Sequence, residues 1–453
     1  MRAVSLFSNC GAGDVGYRRA GFDFEVMAEL DPRRLSVCSL NHPGAVTVPG
    51  DLRTTWEQVL VDYHLSLNEE GVRPGERAPD LLAACPPCQG MSSARSGLGP
   101  GKDPQKGYQD ERNLLVLVIA DVVRALRPRI LVVENVPQFL TRKVLDPRSN
   151  QAVSASRLLV NELSDYRVFP ILTDLADFGI PQTRRRSFLT FVRRDLESVL
   201  GFLDRHGRAP YPVPTHAPDL GGEKPTSINQ ALKGYPALDA ATKESAVADG
   251  YGGLHAVPVW PERRYAMVKA IPPGSGRSAW ENEACASCGR VEVGPDDLRC
   301  PTCQAALLRP IVEGKDGALR FVRGFRSSSY RRMLPDAPAA TVTTASGHIG
   351  SDLTIHPTQN RLLSTQECAE LQTFPEGFEW GDALKKWGHT NVRDMIGEAV
   401  PPAFTEKHGR VLHDLLTGTS SPDDLIPSEN VRCVRPTTKL GLDMDPTLFG
   451  AQE

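Results

Sequence analysis

Residues 3–16, AVSLFSNCGAGDVG, run from a short apolar stretch straight into a glycine-rich turn. Ala3 to Phe7 reads as a buried strand, and glycines placed directly after a strand let the backbone approach a ligand closely. Taken alone, such a turn serves equally well as a tight connection. Working outward, Phe24 to Glu29, Asp80 to Ala84, Ile130 to Val133 and Phe188 to Val192 also read as buried strands. Helix-length segments such as Glu111 to Leu126 lie between them. This βαβ rhythm predicts an α/β fold, a parallel sheet covered on both faces. Glu29 ends the second predicted strand and Asp51 follows a third short apolar run. In a doubly wound sheet those strand ends meet at one crevice, where a carboxylate accepts from ribose hydroxyls or an adenine amino group. A nucleotide-containing small molecule is therefore the expected ligand, the alternative being two solvated loop acids.

At 453 residues the chain exceeds one core, since single cores stop growing near ~250–300 residues, so two domains are expected. With 40% hydrophobic and 24% charged residues it has the composition of a soluble protein. It holds no apolar run of about 18 residues, so no membrane association is expected. The opening MRAVSLFSNCG lacks the layout of a secretion signal, which predicts a cytoplasmic protein. There the ten cysteines are expected to be reduced, so regular cysteine spacing points to metal binding or catalysis. A net charge of −3 and a pI near 6.4 give no global attraction to nucleic acid, and any such contact must come from local basic patches. After Arg194 the sequence becomes punctuated by Pro and Gly until about His356, predicting a loop-rich second domain over 195–355. Helical patterning over Ser364 to Thr373 and Asn391 to Leu416 returns the chain to the first domain (1–194 with 356–418). Residues 419–453 read as an extended tail.

The stretch LLAACPPCQGMSSARS (81–96) sets Cys85 and Cys88 at the end of an apolar strand, around two stiffening prolines and ahead of a Gly- and Ser-rich loop. A thiol on a rigid rim beside such a loop suits a nucleophile. The CxxC also admits redox and zinc readings. Pro86 and Pro87 disfavour the helix that follows the first cysteine of a redox motif, and zinc would need further ligands that are not local. In ILVVENVP (130–137), Glu134 ends an apolar strand, where a buried carboxyl suits a general acid and a structural role is the alternative. In IPQTRRRSFLTFV (180–192), Arg184 and Arg186 alternate with Arg185 and are expected to aim at one site.

CASCGRVEVGPDDLRCPTC (285–303) presents Cys285, Cys288, Cys300 and Cys303 as two CxxC pairs joined by a short spacer. Four soft ligands at this spacing predict a zinc ribbon whose closed, structural Zn staples a small, core-poor segment. Further on, LRFVRGFRSSSYRRML (319–334) interleaves Arg320, Arg323, Arg326, Arg331 and Arg332 with Phe321, Phe325 and Tyr330, which predicts a phosphate-contacting edge.

With these residues in hand, the chain resembles the DNA (cytosine-5) methyltransferase family, its motifs falling in the family's order over nearly the whole length. The cofactor motif is similar to VSLFSNCGAGDVGYRRAGF (4–22), the nucleophile motif to PPCQG (86–90), the acid motif to ENV (134–136) and the arginine motif to QTRRR (182–186). RLLSTQECAELQTFP (361–375) and IGEAVPPAF (396–404) are similar to two late conserved blocks, and PAATVTTASGH (338–348) to a Thr-bearing segment of the recognition domain. The resemblance implies a Rossmann-like S-adenosylmethionine-dependent methyltransferase domain with a smaller target recognition domain. It implies a flipped-out cytosine in duplex DNA, attacked at carbon 6 by the Cys88 thiolate. Glu134 would meet ring nitrogen 3, Arg186 would hold the 2-carbonyl oxygen, and Arg184 and Arg186 would help to ionise the thiol. It implies cofactor contacts from Phe7, Asn9, Cys10, Gly11, Glu29, Leu30, Asp51, Leu52, Leu115, Glu398 and Ala399, and a closing loop over 92–113. Two positions depart from the pattern. Asn9 replaces a usual Gly, and Asn tolerates left-handed backbone. Glu398 replaces a commoner Asn, and its charge would favour the cofactor's ammonium and oppose its carboxylate. The resemblance also suggests a place in restriction-modification or phage defence, with restriction or defence-system proteins as partners. A tRNA-methylating relative and a non-catalytic zinc-ribbon DNA-binding module are the alternative readings.

Overall fold

The computed structural model of the chain describes residues 1–69, 78–87, 111–323, 328–351 and 353–430. Among them, seven strands form the main sheet: β1 (Arg2–Leu6), β2 (Asp23–Glu29), β3 (Val46–Pro49), β4 (Leu81–Ala84), β5 (Ile130–Asn135), β6 (Tyr166–Asp174) and β7 (Arg185–Arg193). They lie in the order β3-β2-β1-β4-β5-β7-β6. Strands β1 to β5 are parallel, as the βαβ rhythm predicts. The sheet as a whole is mixed, because β7 runs antiparallel to both β5 and β6. The β6 segment, YRVFPILTD, was not among the predicted strands, and Pro170 at its centre is the reason. A proline cannot donate to a ladder and is tolerated here because β6 is an edge strand.

Side chains alternate between the two faces. Leu81, Ala83, Ile130 and Val132 enter one apolar cluster, whereas Leu82, Ala84, Leu131 and Val133 enter the other. Helices α1 (Ala12–Arg19), α2 (Pro32–Asn41), α3 (Leu52–Glu69), α4 (Leu115–Leu126) and α5 (Ala155–Glu162) cover these faces. Asp31 caps α2 by accepting from the Arg33 N–H, with Pro32 in the first turn.

The expected boundary at residue 194 falls within packed structure. Helix α6 (Glu197–His206) and the strand Arg208–Pro212 contribute Val199, Leu203, Ala209 and Tyr211 to the sheet's own core. That strand pairs with Leu425–Pro427, so the segment read as a tail starts with buried Leu425 and Ile426. The pattern read as one helix over 391–416 is two. The segment α7 (Ala383–Glu398) kinks at Gly388 and ends before Pro401-Pro402, where α8 (Pro402–Thr417) begins. Helix α8 lies against α1 at a glycine. A Cβ on Gly16 would stand 2.1 Å from Thr405 Oγ1 and 2.2 Å from the Pro402 carbonyl oxygen.

Candidate active site and cofactor cavity

Both parallel and antiparallel strands are needed to assemble the site. Strands β1, β2, β4 and β5 end on one edge of the sheet, and β7, running the other way, begins there. The register sets Glu134 opposite Phe188 and Asn135 opposite Ser187. Arg186, two residues from Phe188 along β7, then reaches back, and its Nε stands 2.8 Å from Glu134 Oε1. The thiol of Cys85, one residue past β4, donates to Glu134 Oε2 at 3.2 Å. Burial, followed by the neighbouring Glu134 carboxylate, pushes that thiol well above its usual range. Asn135 donates through Nδ2 to the Pro86 carbonyl at 2.9 Å, while Ser187 Oγ donates to the Asn135 and Val136 carbonyls. The ENV segment thereby anchors the two prolines leading to Cys88.

Cys88 itself lies outside the described residues, as do 92–110 of the expected closing loop, Phe325, Arg326 and the tail from 431.

Glu134, Arg186 and Cys85 line a cavity of about 1200 Å³ that continues along the strand ends. Phe7, Asn9, Glu29, Leu30, Asp51, Leu52, Leu115, Glu398 and Ala399 line it as well, and Thr341, Thr343 and Thr344 border it from the second region. Phe7 (φ 60°), Asn9 (φ 51°) and Gly11 (φ 74°) all take left-handed backbone, so Asn9 does what a glycine would do there. The turn brings the Asn9 N–H to Glu29 Oε2 at 2.9 Å, and the Asp31 N–H reaches Oε1 at 3.0 Å. Burial raises the Glu29 pKa, opposed by those two donors and by Arg34. Hydrogen bonds from Arg53 hold Asp51 below the usual carboxylate range. Glu398 is not left as an isolated charge: Arg34 Nη1 stands 2.5 Å from its Oε2. Sequence reading missed Arg34, whose only signal was a basic residue five positions after Glu29, in the first turn of the following helix.

Three expectations are corrected by position. Arg184 does not share the cavity with Arg186. It is buried, and its guanidinium donates to the carbonyls of Val342, Gly397 and Ala399 at 2.9–3.0 Å. Beside it, buried Gln182 donates to the Leu371 carbonyl and accepts from the Val342 N–H, so the two side chains stitch the segment leading into β7 to the late conserved blocks. Cys10 and Gly11 stand behind the cavity wall. Cys10 packs in an apolar cluster, where burial pushes its thiol up to about 12, and a Cβ on Gly11 would stand 2.7 Å from the His42 ring.

The basic stretch is likewise only partly a surface edge. Arg332 is fully buried and donates to the carbonyls of Val268, Ile271, His356 and Gln359. Arg331 pairs with Glu281, 50 positions away, and Arg320 with Asp316, which stands just before the basic stretch. Tyr330 is core, leaving Arg323 exposed.

In the second region, the Sγ atoms of Cys285, Cys288, Cys300 and Cys303 all lie within 4.8 Å of one another. The two knuckles are built alike. The Cys285 carbonyl accepts from Gly289 and the Cys300 carbonyl from Gln304, and both donors take left-handed backbone. Sulfur pairs 3.6 Å apart match tetrahedral zinc, whose Zn–S bonds of about 2.3 Å set ligand sulfurs at nearly this spacing. Arg309, buried, ties the spacer down through the carbonyls of Gly294, Pro295 and Asp297.

A doubly wound sheet with a nucleotide-type crevice, opening onto a carboxylate–guanidinium pair beside a strand-end thiol, defines an α/β protein with one cavity that joins a cofactor crevice to a cluster of reactive groups. The sequence model of the C-5 cytosine-specific DNA methylases matches residues 1–413, and the chain belongs to that family. It is 27% identical over 418 residues to the type II methyltransferase M1.HgaI of Avibacterium volantium, covering 90% of this chain and 96% of that one. It is 26% identical to M.AgeI of Thalassovita gelatinovora, covering 89% and 96%. A chain assigned as a DNA modification methyltransferase encoded within an E. coli prophage superposes with TM-score 0.51 at 21% identity, covering 92% of this chain and 99% of that one, a likeness of fold.

Family membership implies S-adenosylmethionine as methyl donor and DNA as substrate. The residues present fit such a cofactor: the left-handed turn, the buried Glu29 carboxylate, and Asn9 Oδ1, which is buried without a partner. Among the described residues, no helix is long and apolar enough to cross a membrane.

Proposed function

We propose that this DNA cytosine-5 methyltransferase is the modification enzyme of a type II restriction-modification system, acting on cytosine within a specific duplex sequence in the cytoplasm. The observation that carries the reading is the Glu134–Arg186 pair at 2.8 Å on the floor of a cavity continuous with the glycine-rich turn. The type II methyltransferases to which the chain is similar over most of their length support the system, with restriction or defence proteins as its partners.

Carbon 5 of cytosine is a poor nucleophile, so the chain's residues must first add electron density to the ring. Cys88, as thiolate, adds to carbon 6, with the base rotated out of the stack at a cost of about a few kcal/mol. Glu134 hydrogen-bonds or protonates ring nitrogen 3, and Arg186 turns its guanidinium to the 2-carbonyl oxygen, drawing charge away from the attacked carbon. Bound S-adenosylmethionine supplies an electrophilic methyl group. Loss of the carbon-5 proton then expels the Cys88 thiolate. Glu29 is assigned to the ribose, Asp51 and Leu52 to the adenine, and the Arg34–Glu398 pair to the amino-acid end. Glu398 can face the ammonium there because Arg34 offsets its charge.

The loop-rich region up to about residue 355, beginning after the core strand Arg208–Pro212, is assigned to target recognition, with structural zinc on Cys285, Cys288, Cys300 and Cys303. Arg184 is assigned to holding this region against the catalytic core.

Bisulfite sequencing of DNA from a host expressing the protein is expected to reveal one methylated motif, and Cys88→Ser to erase it. Labelled methyl transfer to tRNA but to no duplex DNA would overturn the assignment. Purified protein is expected to carry one zinc per chain. Loss of the metal on Cys288→Ser, with an unchanged melting transition for the catalytic core, separates a local staple from a global one.

A further inference from the structure

We propose that Cys85 is a positioning residue for the reaction: its thiol anchors one oxygen of Glu134 so that the other is presented to the target base. The inference rests on the assignment of Glu134 to cytosine nitrogen 3.

The geometry divides the carboxylate between two donors. Arg186 Nε holds Oε1 at 2.8 Å from β7, and Cys85 Sγ holds Oε2 at 3.2 Å from the end of β4. All three side chains face the same cavity. When Arg186 turns to the 2-carbonyl oxygen, it releases Oε1, and a carboxylate held by nothing else would regain its rotamers. Cys85 keeps Oε2 fixed throughout, so the oxygen that Arg186 vacates stays directed at the ring. The backbone fixes the thiol in turn: the Cys85 N–H donates to the Leu6 carbonyl, and Asn135, next to Glu134, holds the Pro86 carbonyl.

Thiol chemistry suits the task. A thiol is a weak donor, so it orients the carboxylate with less bias toward the ionised form than a hydroxyl or ammonium would impose. Half-buried beside a carboxylate, Cys85 stays protonated. It therefore neither competes with Cys88 for carbon 6 nor adds a second negative charge to the site.

The test uses the full chain with Cys85→Ala and Cys85→Ser. Infrared difference spectra between wild type and Cys85→Ala isolate the Cys85 S–H stretch without DNA or cofactor. A band at the position of a hydrogen-bonded thiol, moving to that of a free thiol in Glu134→Ala, is expected. A free-thiol band in the wild type overturns the proposal whether or not the protein methylates DNA. In methylation assays, Cys85→Ala is expected to lower kcat by about tenfold. Its KM for DNA and its affinity for S-adenosylhomocysteine should stay within about twofold. Cys85→Ser, which keeps a donor, is expected to restore most of kcat. Unchanged kcat in Cys85→Ala, or a serine variant as impaired as the alanine one, shows that the thiol only fills space. Wild-type protein that methylates no DNA instead removes the underlying functional reading, and the infrared band is then read alone.

Discussion

At the scale of single residues, two arginines two positions apart, Arg184 just before β7 and Arg186 within it, do unlike work. Arg186 faces the cavity and pairs with Glu134, whereas Arg184 is sealed among three carbonyls. Arg186→Ala is therefore expected to reduce kcat by about a hundredfold or more with little change in melting temperature. Arg184→Ala is expected to destabilise the fold by about 3 kcal/mol, because it strands buried acceptors. Paired kcat and urea-unfolding measurements check both. Alternation along a strand predicted that these two guanidinium groups would share a side. It carried no information on what would be packed against that side at each end, which is why the reading failed for one and not the other. Arg34 belongs to the same class. Its importance depends on Glu398, 364 positions away. Arg34→Ala is expected to weaken S-adenosylhomocysteine binding by about tenfold while leaving that of methylthioadenosine, which lacks the amino-acid end, unchanged in calorimetry. Equal losses for both ligands would mean that the ion pair is only a clasp.

At the scale of elements, the parallel strands and the paired cysteine knuckles were legible, because each depends on spacing within a few residues. Elements defined by a distant partner were not. The edge strand Tyr166–Asp174 is interrupted by Pro170 and is held by β7. The strand at 208–212 is completed only by residues 425–427. Contact between α1 and α8 belongs here as well. Gly16 was read as part of a ligand-binding turn, yet its lack of a side chain is what admits Thr405 and the Pro402 carbonyl. Gly16→Ala is expected to cost about 2 kcal/mol or more in chemical unfolding through overpacking, with the glycine turn itself, at residues 9–11, undisturbed.

For the whole molecule, three buried histidines and one buried aspartate govern the response to acid. Burial lowers His42 to about 4 and His356 and His408 to about 3, and it raises Asp14 to about 7. Near pH 5 the unfolded chain binds protons at all three histidines that the folded protein excludes, so their stabilisation is lost as pH falls below about 6.5. Asp14 acts in the opposite sense, since the folded protein keeps a proton there that the unfolded chain releases. Its contribution is full below about pH 4 and is lost as pH rises toward 7. Three protons taken up at the histidines less one released at Asp14 leave these four groups a net uptake of two on unfolding, which contributes a fall in stability of about 3 kcal/mol per pH unit between pH 6 and 5. Asp14→Asn is expected to steepen the fall to about 4. A slope unchanged in that variant, measured by urea unfolding across the range, would mean that Asp14 is ionised in the folded protein. Sequence by itself determined the α/β class, the order of the motifs, Glu134 at a strand end, the proposed nucleophile and the pairing of the four cysteines Cys285, Cys288, Cys300 and Cys303. Each of these is a matter of local spacing, bond geometry and side-chain chemistry. Tertiary structure alone decided which arginine meets the carboxylate, how Glu398 is neutralised, and that Cys85 touches Glu134 across 49 positions. Those contacts arise where strand ends from distant parts of the chain converge. No local pattern encodes that convergence, because it exists only once the sheet has closed.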